Sequence, residues 1–187
     1  KELKSLGKNV TAGTSIHHLL FDETDIKNYR TFFKLRPPLR SNSDKLFLLQ
    51  NIKDSTLDTI SSFHLPQDEE SKRLPFEKAA FGAIGLQTLL PACLKLVNDK
   101  IIDLPQLFRK ISLNPAKILN IKSGILEEGY FADLVLFDPN KPLLIDRFNL
   151  LSKAKNTPFD GYQLFGEVLK TFVGGEEIYK SRNINDT

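Results

Sequence analysis

The sequence predicts an α/β fold followed by a smaller β-rich layer, and three observations carry that reading. Two short strand-like runs, residues 8–16 and 57–62, are each followed by a segment with helical spacing. From Ser123 onward the helical spacing stops, and short runs of β-formers punctuated by Gly124, Gly129 and Gly161 take over. Near the end, Gly174-Gly175 separates two β-rich runs, 168–173 and 176–179, which is a two-residue hairpin signal.

Taken in order, residues 8–16 alternate weakly (Val10 and Ala12 against Asn9 and Thr11) and end in polar residues, as a short strand does. His17-His18-Leu19-Leu20 and the acidic stretch Asp22-Glu23-Thr24-Asp25 follow. Arg36-Pro37-Pro38 is extended, because a residue before proline is pushed out of the helical region. Residues 43–54 read as a helix, with Leu46, Leu49 and Ile52 on one face and Ser43 as N-cap. Residues 57–62 form the second strand. Residues 67–80 form a polar loop too long for a simple connection. A long apolar helix is expected over 83–98, with Gly82 and Gly85 at its entrance and a kink at Pro91. Two further helices are expected over 104–112 and 115–120, the second with Pro115 at its first position. Residues 131–137 read as a strand whose Leu134-Val135-Leu136 centre is buried on both faces. Residues after Lys180 read as a polar tail without structure.

Composition narrows the function classes. With 41% hydrophobic and 26% charged residues, the chain is ordinary for a globular protein. Its apolar runs fall far short of the roughly 20 residues that a membrane span needs. Lys1-Glu2-Leu3-Lys4 leads into no apolar signal segment. A net charge of +3, with lysines scattered among acids as in Asp68-Glu69-Glu70-Ser71-Lys72-Arg73, argues for a solvated surface and against nucleic-acid binding. One cysteine, Cys93, excludes an intrachain disulfide and fits a reducing, cytoplasmic setting. Its apolar neighbours make it an inert thiol.

Seven words in order carry a resemblance. They are Val10-Thr11-Ala12 with His17-His18-Leu19-Leu20; Lys34-Leu35-Arg36-Pro37-Pro38-Leu39-Arg40; Ser62-Phe63-His64-Leu65-Pro66-Gln67; and Phe81-Gly82-Ala83-Ile84-Gly85-Leu86-Gln87-Thr88. Asn114-Pro115-Ala116 with Gly124-Ile125-Leu126-Glu127-Glu128-Gly129 and Ala132-Asp133-Leu134-Val135, then Asn156-Thr157-Pro158-Phe159, and Val173-Gly174-Gly175 complete the set. Together they resemble the C-terminal half of class I dihydroorotases of the amidohydrolase superfamily, from about residue 9 to residue 180. The resemblance implies the last units of a (β/α)8 barrel over 8–122, a small β-sandwich layer over 123–180 and a tail over 181–187. A whole barrel takes about 250 residues. The chain also contains no methionine. We therefore expect it to be part of a longer protein, with the N-terminal half as its first partner.

The same comparison implies a chemical loss. The family's Thr-Asp-His-Ala-Pro-His segment carries a metal-binding, proton-moving carboxylate and a substrate-holding histidine. Here Phe63 stands at the carboxylate position and Gln67 at that of the second histidine, while His64 and Pro66 remain. Phe offers neither a lone pair nor a titratable proton, and general acid–base catalysis needs one in reach. Asp58 lies at the opposite end of the strand and cannot substitute, and Asp68, in the following loop, reaches the site only if that loop folds back. Arg36 replaces the family's substrate-contacting Asn. Arg40, Phe81 and Gly82 match substrate-pocket positions better. His64 reads either as a pocket-facing group or as a histidine bonded within the barrel rim. The His17-His18 pair reads poorly as a chelate, since adjacent residues diverge on strand or helix. No metal is expected on this chain's side chains, because the family's other zinc ligands belong to the N-terminal half.

Two functions follow as expectations. One is a dihydroorotase-like protein of pyrimidine biosynthesis, catalytically impaired, acting as a structural partner in a homodimer or with aspartate carbamoyltransferase. The alternative is an active zinc-dependent amidohydrolase that hydrolyses a cyclic amide, interconverting carbamoyl aspartate and dihydroorotate.

Overall fold

The computed structural model describes residues 2–181 of the chain. A first helical turn, α1 (Glu2–Ser5), leads to β1 (Gly13–Ser15) and directly into α2 (Ile16–Leu20). After turns at Glu23–Ile26 and Thr31–Phe33 come α3 (Asn42–Lys53) and β2 (Thr59–Ser61). β2 lies parallel to β1, in the register Gly13↔Thr59, Thr14↔Ile60, Ser15↔Ser61. Then follow α4 (Glu69–Arg73), α5 (Leu89–Asn98), α6 (Leu104–Phe108) and α7 (Asn114–Leu119). The chain closes with β3 (Leu134–Leu144), β4 (Gln163–Val173) and β5 (Glu176–Lys180), an antiparallel sheet in the order β3-β4-β5.

Local chemistry explains most boundaries, including those that differ from expectation. α3 is capped by Ser41, whose hydroxyl accepts from the Asp44 N–H; Ser43 lies inside the helix. Its inward stripe is Lys45, Leu48, Leu49 and Ile52. Leu46 is rotated about 120° from Ile52 and is 55% exposed, so it does not share the core face. The stretch 67–80 is not all loop, because Asp68 caps the short α4 through the Ser71 N–H. The helix expected from residue 83 starts at Leu89. Ala83 is instead extended, forming a parallel bridge with His64. Pro91 then falls in the first turn of α5, where its missing N–H has no intrahelical acceptor, and so it does not interrupt the helix.

Pro115 has a different effect. α6 and α7 are joined by the π-helical turn Arg109–Leu113, in which the Asn114 N–H reaches back to the Arg109 carbonyl. A proline cannot donate to residue 111, and its ring crowds that carbonyl. Widening the helix by one residue accommodates both facts. The run is therefore one continuous helix where two were expected.

The core is aromatic and aliphatic. Phe21 stands edge-on to Phe33 at 5.1 Å and to Tyr162 at 5.4 Å, and lies 4.9 Å from Phe159. Ile16, Leu19, Ile52, Leu94, Leu96 and Leu107 are fully buried around this cluster. Cys93 is buried with them, and burial raises its thiol far above the ordinary value, in keeping with an inert side chain. The Gly174-Gly175 hairpin forms as its sequence implies. Both residues have positive φ, 58° and 88°, and join Val173 to Glu176.

The C-terminal layer departs from expectation in one respect. Leu134, Val135 and Leu136 are 37%, 52% and 52% exposed, not buried on both faces. Among the described residues, β3 is an edge strand that pairs only with β4. Ser181 is buried and donates its N–H to the Leu169 carbonyl, so the tail does not begin there. Residues 182–187 lie outside the described residues.

β4 is held against α5 by a close approach. Gly166 has φ +107°, and a Cβ there would collide with Leu94 Cδ1. Gly166→Ala is expected to cost roughly 3 kcal/mol through strain and overpacking, measured as a fall in the urea midpoint with an unchanged slope.

Candidate functional site

The C-terminal end of β2 and the start of α2 open onto a cleft of about 270 Å³, lined by Ser15, His17, His18, Leu35, Arg36, Phe63, His64, Leu65, Gly82 and Ala83. Its geometry follows from the backbone. β1 ends at Ser15, whose hydroxyl caps α2 by accepting the His17 N–H at 3.1 Å. That cap turns His17 inward, fully buried, and leaves His18 on the cleft wall. β2 ends at Ser61, and two residues on Phe63 adopts φ +45°, rare for a bulky residue. Phe63 is half exposed at the cleft rim, edge-on to the His18 ring at 6.5 Å.

Hydrogen bonds fix the histidine tautomers. His64 Nδ1 accepts two backbone N–H groups, from Gly85 at 3.1 Å and Leu86 at 3.3 Å. Its proton therefore resides on Nε2, and the ring offers a donor, not a lone pair. His18 Nε2 lies 2.9 Å from the Pro37 carbonyl and must donate to it. In the neutral ring its Nδ1 then accepts from the Ser15 hydroxyl at 3.0 Å. His17 Nδ1 lies 3.5 Å from the same hydroxyl, and His17 Nε2 has no partner. Burial, reinforced by the neighbouring His18, pushes the His17 pKa down to about 4, so the ring is neutral at pH 7.

Gly85 allows this close packing. A Cβ there would lie 2.5 Å from the Ser62 carbonyl oxygen and 3.1 Å from the His17 ring. The segment is clamped from the far side by Asn156, which is buried. Its amide donates to the carbonyls of Leu65 at 3.3 Å and Gly82 at 3.1 Å, and its Oδ1 accepts the Gln67 N–H at 3.2 Å. Its own carbonyl accepts the Ile84 N–H at 3.1 Å.

The residues singled out from sequence divide into two groups. Phe63, His64, Arg36 and Gly82 meet at the cleft. Phe81 stands beside it, its ring 4.6 Å from Lys34 Nζ and 5.8 Å from the Arg36 guanidinium. Gly82 donates its N–H to the Lys34 carbonyl and gives its own carbonyl to Asn156, so both backbone groups are consumed within the fold. Gln67 and Arg40 do not line the cleft: Gln67 engages Asn156 through its backbone, and Arg40 is exposed while its carbonyl accepts the Glu23 N–H. Asp58 sits at the far end of β2, bound to Lys4 at 2.6 Å and to the Ala12 N–H at 2.8 Å. Burial works against its charge, but these bonds outweigh that and hold its carboxyl below the usual range. Asp68 is committed to capping α4. Sequence reasoning gives Ser15 and Asn156 no site role and reads the His17-His18 pair only as a poor chelate. The sequence signal for Ser15 was available: a serine two residues before the histidine pair at a strand end is a helix cap.

A profile of the amidohydrolase family matches residues 79–178. The chain belongs to the amidohydrolase family. It is 38% identical over 183 residues to the dihydroorotase of Wolbachia sp. subsp. Drosophila simulans, covering 98% of this chain and 42% of that protein. It is 41% identical over 180 residues to the dihydroorotase of Syntrophus aciditrophicus, with 96% and 42% coverage. Among solved structures it superposes on the L-hydantoinase (dihydropyrimidinase) of Arthrobacter aurescens with a TM-score of 0.91 and 28% identity, covering 96% of this chain and 41% of that one. The dihydropyrimidinase of Brevibacillus agri gives a TM-score of 0.89 at 25% identity, with the same coverage. The chain thus spans about two fifths of the length of these relatives. Its strands β1 and β2 with their helices form part of an amidohydrolase barrel, and the dihydroorotase-like assignment rests on nearly its whole length.

Members of this family are generally metal-dependent, and zinc is the ion that the resemblance implies. A catalytic zinc takes about three protein ligands with free lone pairs. Phe63 offers none, His64 Nδ1 is occupied by two N–H groups, and both nitrogens of His18 are engaged. His17 Nε2 makes no hydrogen bond, but one nitrogen is not a ligand set. Among the described residues no three His, Cys, Asp or Glu side chains are grouped to hold an ion. The described residues do not by themselves fit a zinc centre.

Two outcomes are expected. His17 binds a proton near pH 6.5 when unfolded but only near pH 4 when folded. The unfolded state therefore holds more protons in that window, and stability, undiminished above pH 6.5, falls by roughly 3 kcal/mol as pH drops to 4. His17→Leu should flatten that slope in a pH series of denaturation curves. Asn156→Leu should strand the Leu65 and Gly82 carbonyls and the Gln67 N–H, costing about 3 kcal/mol by the same measurement.

Proposed function

We propose that this chain belongs to a dihydroorotase-like protein in which the proton-moving carboxylate has been lost and the remaining fold serves as a non-catalytic structural partner in pyrimidine biosynthesis. The observation that carries the reading is Phe63. It occupies the strand-end position of the resemblance's carboxylate and lies on the cleft wall beside His64. Its backbone keeps a left-handed conformation that a small polar residue tolerates better than a phenyl-bearing one. The geometry at this position is that of a site residue, while the side chain can neither take up nor release a proton.

Further departures support the same reading. Arg36 places a long cation on the cleft lip, facing the Phe81 ring. The residue at the second histidine's position, Gln67, faces Asn156 through its backbone and contributes nothing to the cleft lining. The division into barrel units over 8–122 and a separate β layer over 123–180 is part of the proposal. So is a partner subunit, either a second copy or aspartate carbamoyltransferase. Among the described residues no helix is long and apolar enough to cross a membrane.

The deciding measurement is hydrolysis of dihydroorotate by the purified full-length protein with zinc supplied. Loss of an acid–base group costs about 10²–10⁴-fold, so turnover should lie at least that far below that of an active dihydroorotase. Phe63→Asp should recover little of it, because residues that act as a unit are not restored singly. Robust turnover by the unmodified protein would return the chain to the active, zinc-dependent amidohydrolases.

A further inference from the structure

A second cleft, of about 550 Å³, shares no lining residue with the first. It is lined by Tyr29, Arg30, Thr31, Phe32, Glu69, Lys72, Arg73, Leu74, Arg147 and Asp160. Four cations in it face two carboxylates, and their pairing leaves charge over. Arg30 and Arg147 share one partner, Asp160, at 3.1 and 3.8 Å. Both guanidiniums also stand 5.2 Å from the centre of the Phe32 ring, which holds them at the cleft wall. Arg73 pairs with Glu69 at 2.7 Å on the exposed lip.

Lys72 is the anomaly. It is only 4% exposed, and its ammonium donates to two neutral carbonyls, Thr31 at 2.9 Å and Ala80 at 2.7 Å. No carboxylate of the described residues pairs with it. Behind it, Lys34 is also buried, with the Glu77 carbonyl and two phenyl rings as its partners. Buried charges are ordinarily paired, because desolvation without a counter-charge is costly. Burial, followed by the charge of Lys34, pushes the Lys72 amine down to about 8, which is the expected effect of an unmet charge.

We propose that this cleft binds a small phosphomonoester, with Arg30, Lys72, Arg73 and Arg147 around the phosphate and Tyr29, Phe32 and Leu74 against its organic part. The charge excess selects a dianion over a monoanion. Guanidiniums already oriented by Asp160 and by ring stacking can donate to phosphate oxygens at little ordering cost. The proposal concerns a cleft apart from the one discussed above, and it stands whether or not the protein turns over dihydroorotate.

Calorimetric titration of the full-length protein with phenyl phosphate, against benzoate at matched ionic strength, tests it. Phenyl phosphate should bind saturably and more tightly than benzoate. Arg73→Gln should weaken it about tenfold, the equivalent of one charge-assisted contact. Glu69→Gln, which removes a competing carboxylate, should tighten it. Both side chains lie on the exposed lip, so neither change threatens the fold. The opposite signs separate a charge-reading site from a merely structural one. No saturable heat, equal affinity for benzoate, or the same response to both substitutions would overturn the proposal.

Discussion

The side chain of Asn156 is the point on which the architecture turns. It comes from the segment between β3 and β4, yet its three side-chain hydrogen bonds go to the segments that follow β2, at Leu65, Gln67 and Gly82. One buried amide thereby ties the chain after the second strand to the run before α5 and to the C-terminal layer. A buried amide with several satisfied bonds is specific in a way that apolar packing is not, because shifting any one segment strands a polar group away from water. The alignment of Ala83 beside His64, and with it the position of the cleft, depends on this clamp.

Around the clamp the backbone of the cleft is set by contacts that the Phe63 side chain does not make: the strand ends, the serine cap on α2 and the tight passage at Gly85. This is why an uncharged residue can occupy the rim without disturbing the fold: the position is held by its neighbours' hydrogen bonds, and its own side chain points to the cleft. The histidines illustrate the same separation. The His18 and His64 rings are oriented by backbone or serine groups, and those bonds use up the lone pairs that a metal would need, whereas His17 Nε2 makes no such bond.

Charge and apolar surface are distributed unevenly over the remainder. Phe21, Phe33, Phe159 and Tyr162 form a dense core beneath the cleft, whereas β3 presents Leu134, Val135 and Leu136 at a sheet edge. The buried lysines 34 and 72 lie between the turn at Thr31–Phe33, α4 and the run before Phe81. There three carbonyls, those of Thr31, Glu77 and Ala80, accept from the two ammonium groups without neutralising their charge.

The sequence by itself determined the family, the apolar side chain at residue 63, the parallel strands and the glycine hairpin. All of these rest on order along the chain or on the φ demands of a few adjacent residues. Proline was only half legible. Pro115 was readable as a helix residue, but its π turn was not, and Pro91 was misread because the start of α5 depends on where Ala83 pairs. The cleft was partly legible, through Phe63, His64, Arg36 and Gly82. Only the tertiary structure decided that His17 is buried with an unmet nitrogen, that Gln67 and Arg40 stand apart, and that Leu46 and the centre of β3 are exposed. It alone decided that Arg30, Lys72 and Arg147 share one cleft. Desolvation and charge pairing are set by segments that lie tens of residues apart, and no local pattern records which of them will meet.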